Sequence, residues 1–185
     1  MRCFALLIAA ICSPVVTQAA SVGLFSTPDC SSCDLTMGPG ETRVFYIKAM
    51  LDDLPLTGAE FKVEGLPAAW HTSFVPTPQA NFVLGDPFGS RGVNIGFPTT
   101  VNGDCVLFFT VNVTATNATT DVVLRVVGAT PPSFPGFPCP LFIMECGPCE
   151  WWECVSGGVL FINSNEDCTV AVQPHTWTEV KSLYE

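Results

Sequence analysis

Basic residues are scarce in this chain: of 185 residues only 7 are Lys or Arg, against 17 Asp and Glu, for a formal net charge of -10. Nothing in that balance could replace counterions along a phosphate backbone, so nucleic acid is excluded as a partner. Charge of either sign is scarce too. Charged residues make up 13%, about half the usual share, while hydrophobic ones reach 48%, which excludes a disordered acidic tail. Only two His are present, and no G-x-S-x-G elbow or H-E-x-x-H helix motif occurs, so no hydrolytic nucleophile or metalloprotease site is nominated. Seventeen acids guarantee some carboxylate pairs of the kind glycosidases use, but pairing by itself selects none. No apolar run after the first dozen residues approaches membrane-spanning length; the longest are strand-sized.

What the chain does contain is Phe, Pro, Gly and Cys, at 14, 16, 15 and 10 residues. That mixture points to a turn-rich β protein held by covalent staples. The first twenty residues read as a secretory signal. Arg2 supplies the positive end, residues 3–11 (CFALLIAAI) the apolar stretch, Pro14 the break, and Thr17-Gln18-Ala19 small residues at a cleavage site. Cys12 invites a lipoprotein reading, but Ile11 is bulky where such sites take Gly or Ala. The expectation is a soluble protein that is secreted, periplasmic or held at the cell surface, with no transmembrane span.

Cleavage near Ala20 removes Cys3 and Cys12 and leaves Cys30, Cys33, Cys105, Cys139, Cys146, Cys149, Cys154 and Cys168. An even set in an exported chain is the pattern of a disulfide framework, with 105 pairings open. Three of these cysteines lie early and five late. If all are paired, at least one bridge therefore joins the two groups.

Strand patterns run through the mature chain. Residues 43–51 (RVFYIKAML) are rich in aromatic and β-branched types. Over residues 59–66, Ala59, Phe61 and Val63 alternate with Glu60, Lys62 and Glu64, the mark of a half-buried strand with one wet face, and Gly65-Leu66-Pro67 ends it. Residues 105–114 point Leu107, Phe109, Val111 and Val113 one way. Residues 120–127 do the same with Val122, Leu124 and Val126, after a linker suited to a hairpin-type connection. Shorter candidates fall at 81–84, 93–97, 141–144 and 159–163, while residues 21–34 read as a leader. The architecture expected is all-β: a single disulfide-rich β-sandwich of about eight or nine strands over residues 21–174. A short amphipathic helix is expected at 175–185, opened by the Thr176-x-x-Glu179 capping box.

Four motifs invite chemistry. Cys146-Gly147-Pro148-Cys149 has the letters of a thioredoxin active site, where a helix N-terminus lowers the pKa of the attacking thiol. Here Glu145, Glu150 and Glu153 oppose that shift, and a Pro-rich stretch at 131–140 stands where a βαβ strand is needed, so catalysis by Cys146 and Cys149 ranks behind a structural role. Zinc held by Cys30, Cys33, Cys146 and Cys149 would demand a very long spacer and reduced thiols outside the cell. Asn163, Asn165 and Asp167 imitate a calcium loop without its Gly or closing Glu, and read as a polar turn. No metal or other cofactor is expected. For binding, Glu150-Trp151-Trp152-Glu153 lies between Cys149 and Cys154, a loop pinned at both ends that presents two aromatics flanked by carboxylates; the competing reading has one Trp cap the core and the other cover a disulfide. Trp70-His71 is a poorer candidate of the same kind, and Asn112-Val-Thr114 and Asn117-Ala-Thr119 match glycosylation acceptors.

Residues 46–51, the Gly58-Ala59-Glu60-Phe61-Lys62-Val63 strand, the Leu66-Pro67-Ala68-Ala69-Trp70 turn and the 105–114 strand resemble cohesin-type and carbohydrate-binding-module-type sandwiches. The Gly-Ala-Glu-Phe strand, Cys-Val-Ser-Gly-Gly at 154–158 and Trp-x-x-Val-Lys-x-Leu-Tyr at 177–184 also resemble a group of uncharacterised secreted bacterial proteins. The resemblance implies a bacterial origin and a sandwich fold, and it carries no activity; its extra cysteines and closing helix depart from cohesins, so dockerin binding does not follow from it. The function expected is a non-enzymatic exported binding or adhesion module recognising an extracellular protein or glycan, with Trp151, Trp152, Glu150 and Glu153 as the contact candidates. Its rivals are a structural envelope component and a thiol–disulfide oxidoreductase.

Overall fold

The computed structural model describes residues 20–51, 54–145 and 150–166. The expected signal segment, the Cys146/Cys149 motif, Cys168 and the expected helix at 175–185 lie outside them. Within the described residues every regular element is a strand: β1 (Ser21–Phe25), β2 (Asp34–Leu35), β3 (Thr42–Met50), β4 (Leu56–Glu64), β5 (His71–Pro76), β6 (Phe82–Asp86), β7 (Gly92–Val101), β8 (Val106–Thr114), β9 (Val122–Val127), β10 (Leu141–Glu145), β11 (Glu150–Cys154), β12 (Ser156–Gly157) and β13 (Val159–Ile162). They exceed the eight or nine expected because β2 and β12 are two-residue pairings and because β1, β5 and β11 lack clean alternation. No helix among the described residues is long and apolar enough to cross a membrane.

One sheet runs β12-β1-β3-β8-β5. The other is organised around β4, whose first part lies between β7 and β10 while Lys62–Glu64 pair with β9. Strand β6 closes one edge beyond β7, and β11 lies beyond β10. Each sheet turns one face of alternating apolar residues inward. Ala59, Phe61 and Val63 of β4 and Val122, Leu124 and Val126 of β9 are buried in the shared core, as their alternation predicts.

At the centre sits Phe108, fully buried, with ring centroids of Phe61, Phe97 and Phe142 at 5.9, 5.8 and 6.2 Å. The sequence pattern placed Leu107 inward instead. A β-bulge corrects it: Ile47 pairs with Phe109 and Lys48 with Leu107, so Phe108 is the extra residue and both phenylalanines reach the core. A second correction concerns residues 115–119. Strand β8 pairs with β3 and β5, and β9 with β4 and β13, so this linker crosses between sheets and closes no hairpin. The expected leader is likewise a strand: β1 lies between β3 and β12 with Val22 and Leu24 in the core.

Two bridges are formed between described residues. Cys30–Cys105 ties the 26–33 loop to the start of β8 with a Cα–Cα distance of 6.3 Å, and Cys139–Cys154 ties the segment before β10 to the end of β11 at 5.5 Å. Cys33 is disulfide-bonded as well. Asn163 does the work of a rivet rather than of a calcium ligand. Its side-chain oxygen accepts from Met37 N at 2.9 Å, and its amide donates to Met37 O and Thr119 O at 2.8 and 3.0 Å.

Candidate functional site

The outer face of the β6-β7-β4-β10-β11 half of the larger sheet carries the most exposed apolar groups in an ordered pattern. Register places Phe82, Gly96, Gly58, Ile143 and Trp152 side by side across five strands. The next row, two residues along, is Leu84, Asn94, Glu60, Leu141 and Cys154. Their neighbours Val83, Ile95, Ala59, Phe142, Met144 and Trp151 pack against the core, so strand alternation fixes these two rows on the outside. In the first row two glycines form a floor with no side chains. Phe82 stands on one bank and Ile143 and Trp152 on the other, with three strand spacings, about 14 Å, between Phe82 and Ile143. Phe82 is 50% exposed, Leu84 62% and Trp152 42%.

The missing side chains differ in cause. A Cβ on Gly58 would meet Ile95 O at 3.0 Å, so close backbone packing favours glycine there. A Cβ on Gly96 would meet nothing nearer than Phe82 Cβ at 3.5 Å, an ordinary contact. Gly96 is therefore not required by the backbone; the bank side chains lean toward the floor, Phe82 Cδ1 lying 3.7 Å from the Gly96 Cβ position and Ile143 Cδ1 3.4 Å from that of Gly58.

The Glu60 part of the second row is covered by a strap, residues 130–139, laid over the sheet, while Leu84 at the row's other end stays exposed. Thr130 N donates to Arg91 O at 3.0 Å, Ser133 N donates to Glu60 Oε1 at 2.8 Å, and the Phe134 ring packs on Trp152 with centroids 4.3 Å apart. The Cys139–Cys154 bridge anchors its far end. Glu60, expected on the wet face of β4, is thus only 3% exposed, and its Oε2 has no hydrogen-bond partner among the described residues. Lys62 is also largely covered, 2.6 Å from Glu64 and 3.4 Å from Thr130 Oγ1 at the start of the strap.

The Trp-Trp segment is a strand rather than a pinned loop. Trp151 is partly buried against the core, opposite Met144, and Trp152 faces outward opposite Ile143, so the two rings are separated by alternation and form no joint platform. Glu153 is exposed on the sheet edge, and Glu150 pairs with Glu145 at the strand end. Trp70 is buried and donates from Nε1 to Asn117 Oδ1 at 3.0 Å, which removes it as a contact residue; His71 is exposed. Phe82, Leu84, Gly96 and Gly58 were not singled out by the sequence. The available signal was a glycine inside each of two strand patterns, which marks a place where another backbone or a ligand comes close.

Displaced pKa values fall elsewhere: in turns, and at Lys48 on β3, lowered by burial. Asp29 is held down to about 2, first by the Ser31 hydroxyl, then by Thr27 and the Ser31 amide. Glu41 is lowered by the Gly38 N–H and by Arg43. Among the described residues no three His, Cys, Asp or Glu side chains gather as metal ligands, and Cys30, proposed for a zinc set by its spacing, is engaged in a disulfide instead.

No model of a known protein family matches the chain, and no curated protein matches it in sequence. Solved structures do. The seventh type I cohesin of ScaB from Pseudobacteroides cellulosolvens is similar over 81% of this chain and 96% of its own, at 11% identity and a TM-score of 0.54. A cohesin module of a family 33 glycoside hydrolase from Clostridium perfringens is similar over 80% and 100%, at 11% identity and a TM-score of 0.51. This chain folds as a cohesin-like β-sandwich, all-β and disulfide-bonded.

Proposed function

We propose that the chain is a non-enzymatic binding module of the cell exterior, and that it holds a protein partner in the glycine-floored groove between Phe82 and Ile143. The observation that carries this reading is the first row itself: apolar banks with Phe82 half exposed and Leu84 beside it, and two glycines between the banks; the other exposed large apolar groups among the described residues, Val44 and Val75, lie apart on the opposite sheet, and Trp152 belongs to the same row. The likeness to cohesin modules, including one from a glycoside hydrolase, supports a role as a module and supplies no ligand. The signal segment expected from the sequence and the disulfides support export.

A protein is favoured over a glycan because sugar hydroxyls need polar partners beside an aromatic platform. Asn81 and Asn94 are the polar side chains beside an otherwise apolar row, and Glu60 of the second row lies under the strap. The oxidoreductase alternative is disfavoured by the fold, since the 131–140 segment is a strap across a sheet rather than the strand of a βαβ unit.

The test is site-specific photo-crosslinking. A photoreactive phenylalanine analogue at position 82 is compared with one at position 75, which is 60% exposed on the other sheet. In the organism's own extracellular proteins, one discrete protein adduct at 82 and none at 75 is the expected result. Equal labelling at both positions, or none at 82, would refute the groove as the binding face.

A further inference from the structure

The sequence drew attention to Cys146 and Cys149, but the structure puts a buried cation at a different pair of sulfurs. Lys48, on β3, is 6% exposed beneath the 26–33 loop. Its ammonium donates to Pro28 O and lies 3.3 Å from Cys105 Sγ, which is bonded to Cys30. The two sulfurs differ in one contact: each cysteine follows an exposed, screened aspartate, Asp29 and Asp104, but Lys48 lies against Cys105 and favours negative charge there. Cys30 also has a φ of 61°, left-handed backbone that a non-glycine residue holds only under constraint.

We propose that Cys30–Cys105 is a thiol-exchange site whose partner is a dithiol, with Cys105 the sulfur that leaves as thiolate. An incoming thiolate bonds to Cys30 Sγ, the Cys30–Cys105 bond breaks, and its electron pair stays on Cys105 Sγ beside the Lys48 ammonium. The second thiol of the dithiol then gives up its proton and displaces Cys30, which takes up a proton as it leaves. The dithiol is oxidised to its disulfide, the protein is reduced by two electrons, and one proton is released because Cys105 remains a thiolate. The loop survives the opening. Ser26 N donates to Ser32 O at 2.8 Å and the two serine hydroxyls are 3.0 Å apart, closing its neck independently of the bridge, while Lys48 still holds Pro28.

Three further groups bear on Cys105. Asp104 precedes it and is solvent-exposed, where its repulsion is screened; Asp29 acts on Lys48 through space, raising its pKa against the lowering by burial; and the Tyr46 ring lies 5.7 Å from the Lys48 ammonium. Lys48 is the group among them that stabilises an anion on Cys105.

The experiment equilibrates the full oxidised chain with graded ratios of reduced and oxidised dithiothreitol from pH 6 to 8.5, quenches by alkylation and reads each cysteine by peptide mass. Cys139–Cys154 serves as the internal reference. The expected equilibrium constant for reducing Cys30–Cys105 rises about tenfold per pH unit once Cys105 ionises, starting below the ordinary thiol pKa of about 8.5, while that of Cys139–Cys154 stays flat there. Lys48→Met lowers the constant about tenfold, about 30 mV, and removes the pH dependence below 8, and Lys48→Arg retains both. The same constant and flat pH profile for both bridges in the unsubstituted chain overturns the proposal, whether or not Lys48→Met folds. So does a Lys48→Arg chain that behaves like Lys48→Met.

Discussion

The strap depends on one ring contact that can be isolated by substitution. Trp152 and Phe134 lie with centroids 4.3 Å apart and planes inclined by 37°, and Trp152 remains 42% exposed. Something over half of a tryptophan surface, roughly 120 Å², is thus withdrawn from water, and Trp152→Ala is expected to cost about 3 kcal/mol at ~25 cal/mol per Å². Phe134→Ala removes a half-buried ring from the strap and should cost about 1–2 kcal/mol. If the two rings hold each other, the double variant loses less than the sum, by the about 0.5–1.5 kcal/mol typical of aromatic pairs. Urea unfolding of the oxidised protein gives all four free energies, provided the transitions are two-state with a common slope. Additivity to within about 0.3 kcal/mol would refute the reasoning: the strap would then be held without the ring pair, by the Thr130–Arg91 and Ser133–Glu60 hydrogen bonds and the Cys139 anchor.

Further outcomes follow from the core and the turns. Phe108→Ala empties the site shared with Phe61, Phe97 and Phe142 and is expected to cost about 3–5 kcal/mol, read as a fall in the urea midpoint. Gly65→Ala is expected to cost about 2–3 kcal/mol, because φ is +93° and the new methyl would run into Val123 O. A loss under about 0.5 kcal/mol there would show that this turn is freely adjustable. Asp29, with its pKa lowered to about 2 from 3.8, stabilises the fold above about pH 4, and that contribution is lost as pH falls toward 2. Asp29→Asn should flatten the acid limb of the stability curve in that window and leave its shape at neutral pH unchanged.

Local pattern carried much of the sandwich. Ala59, Phe61 and Val63, and likewise Val122, Leu124 and Val126, each face a core on one side only, so period-two alternation reports their orientation directly. Strand β1 reads SVGLF with no alternation, since Val22, Gly23, Leu24 and Phe25 are all buried once β12 and the 26–33 loop cover it. Phe108 escaped for a different reason. A one-residue bulge reverses the faces beyond it, and nothing in VLFFTVNVT marks where the extra residue falls. The site was legible only in fragments. Trp152 was singled out as one of a pair, but strand alternation sends Trp151 to the other face, and the partners of Trp152 come from β10 and the strap. Glu60 looked solvated because its cover arrives from residues 130–139, some seventy positions downstream. The groove depends on Phe82, Gly96, Gly58 and Ile143 falling in register across four strands, and register is a long-range property that no window of sequence contains.

Filling the groove floor tests the central claim most directly. Gly96 lies between Phe82 and Gly58, and a Cβ there makes only ordinary contacts, so Gly96→Leu obstructs the groove, with the unfolding midpoint reporting whether the fold is kept. The measurement is calorimetric titration of the protein captured at position 82 against the unsubstituted chain and against Gly96→Leu, with thermal unfolding of both chains alongside. A loss of at least about thirtyfold in affinity, roughly 2 kcal/mol, with an unfolding midpoint equal to or above that of the unsubstituted chain, is the predicted result. Equal affinities with equal midpoints would contradict the account, because a partner seated between Phe82 and Ile143 cannot ignore a leucine rising from the floor beneath it.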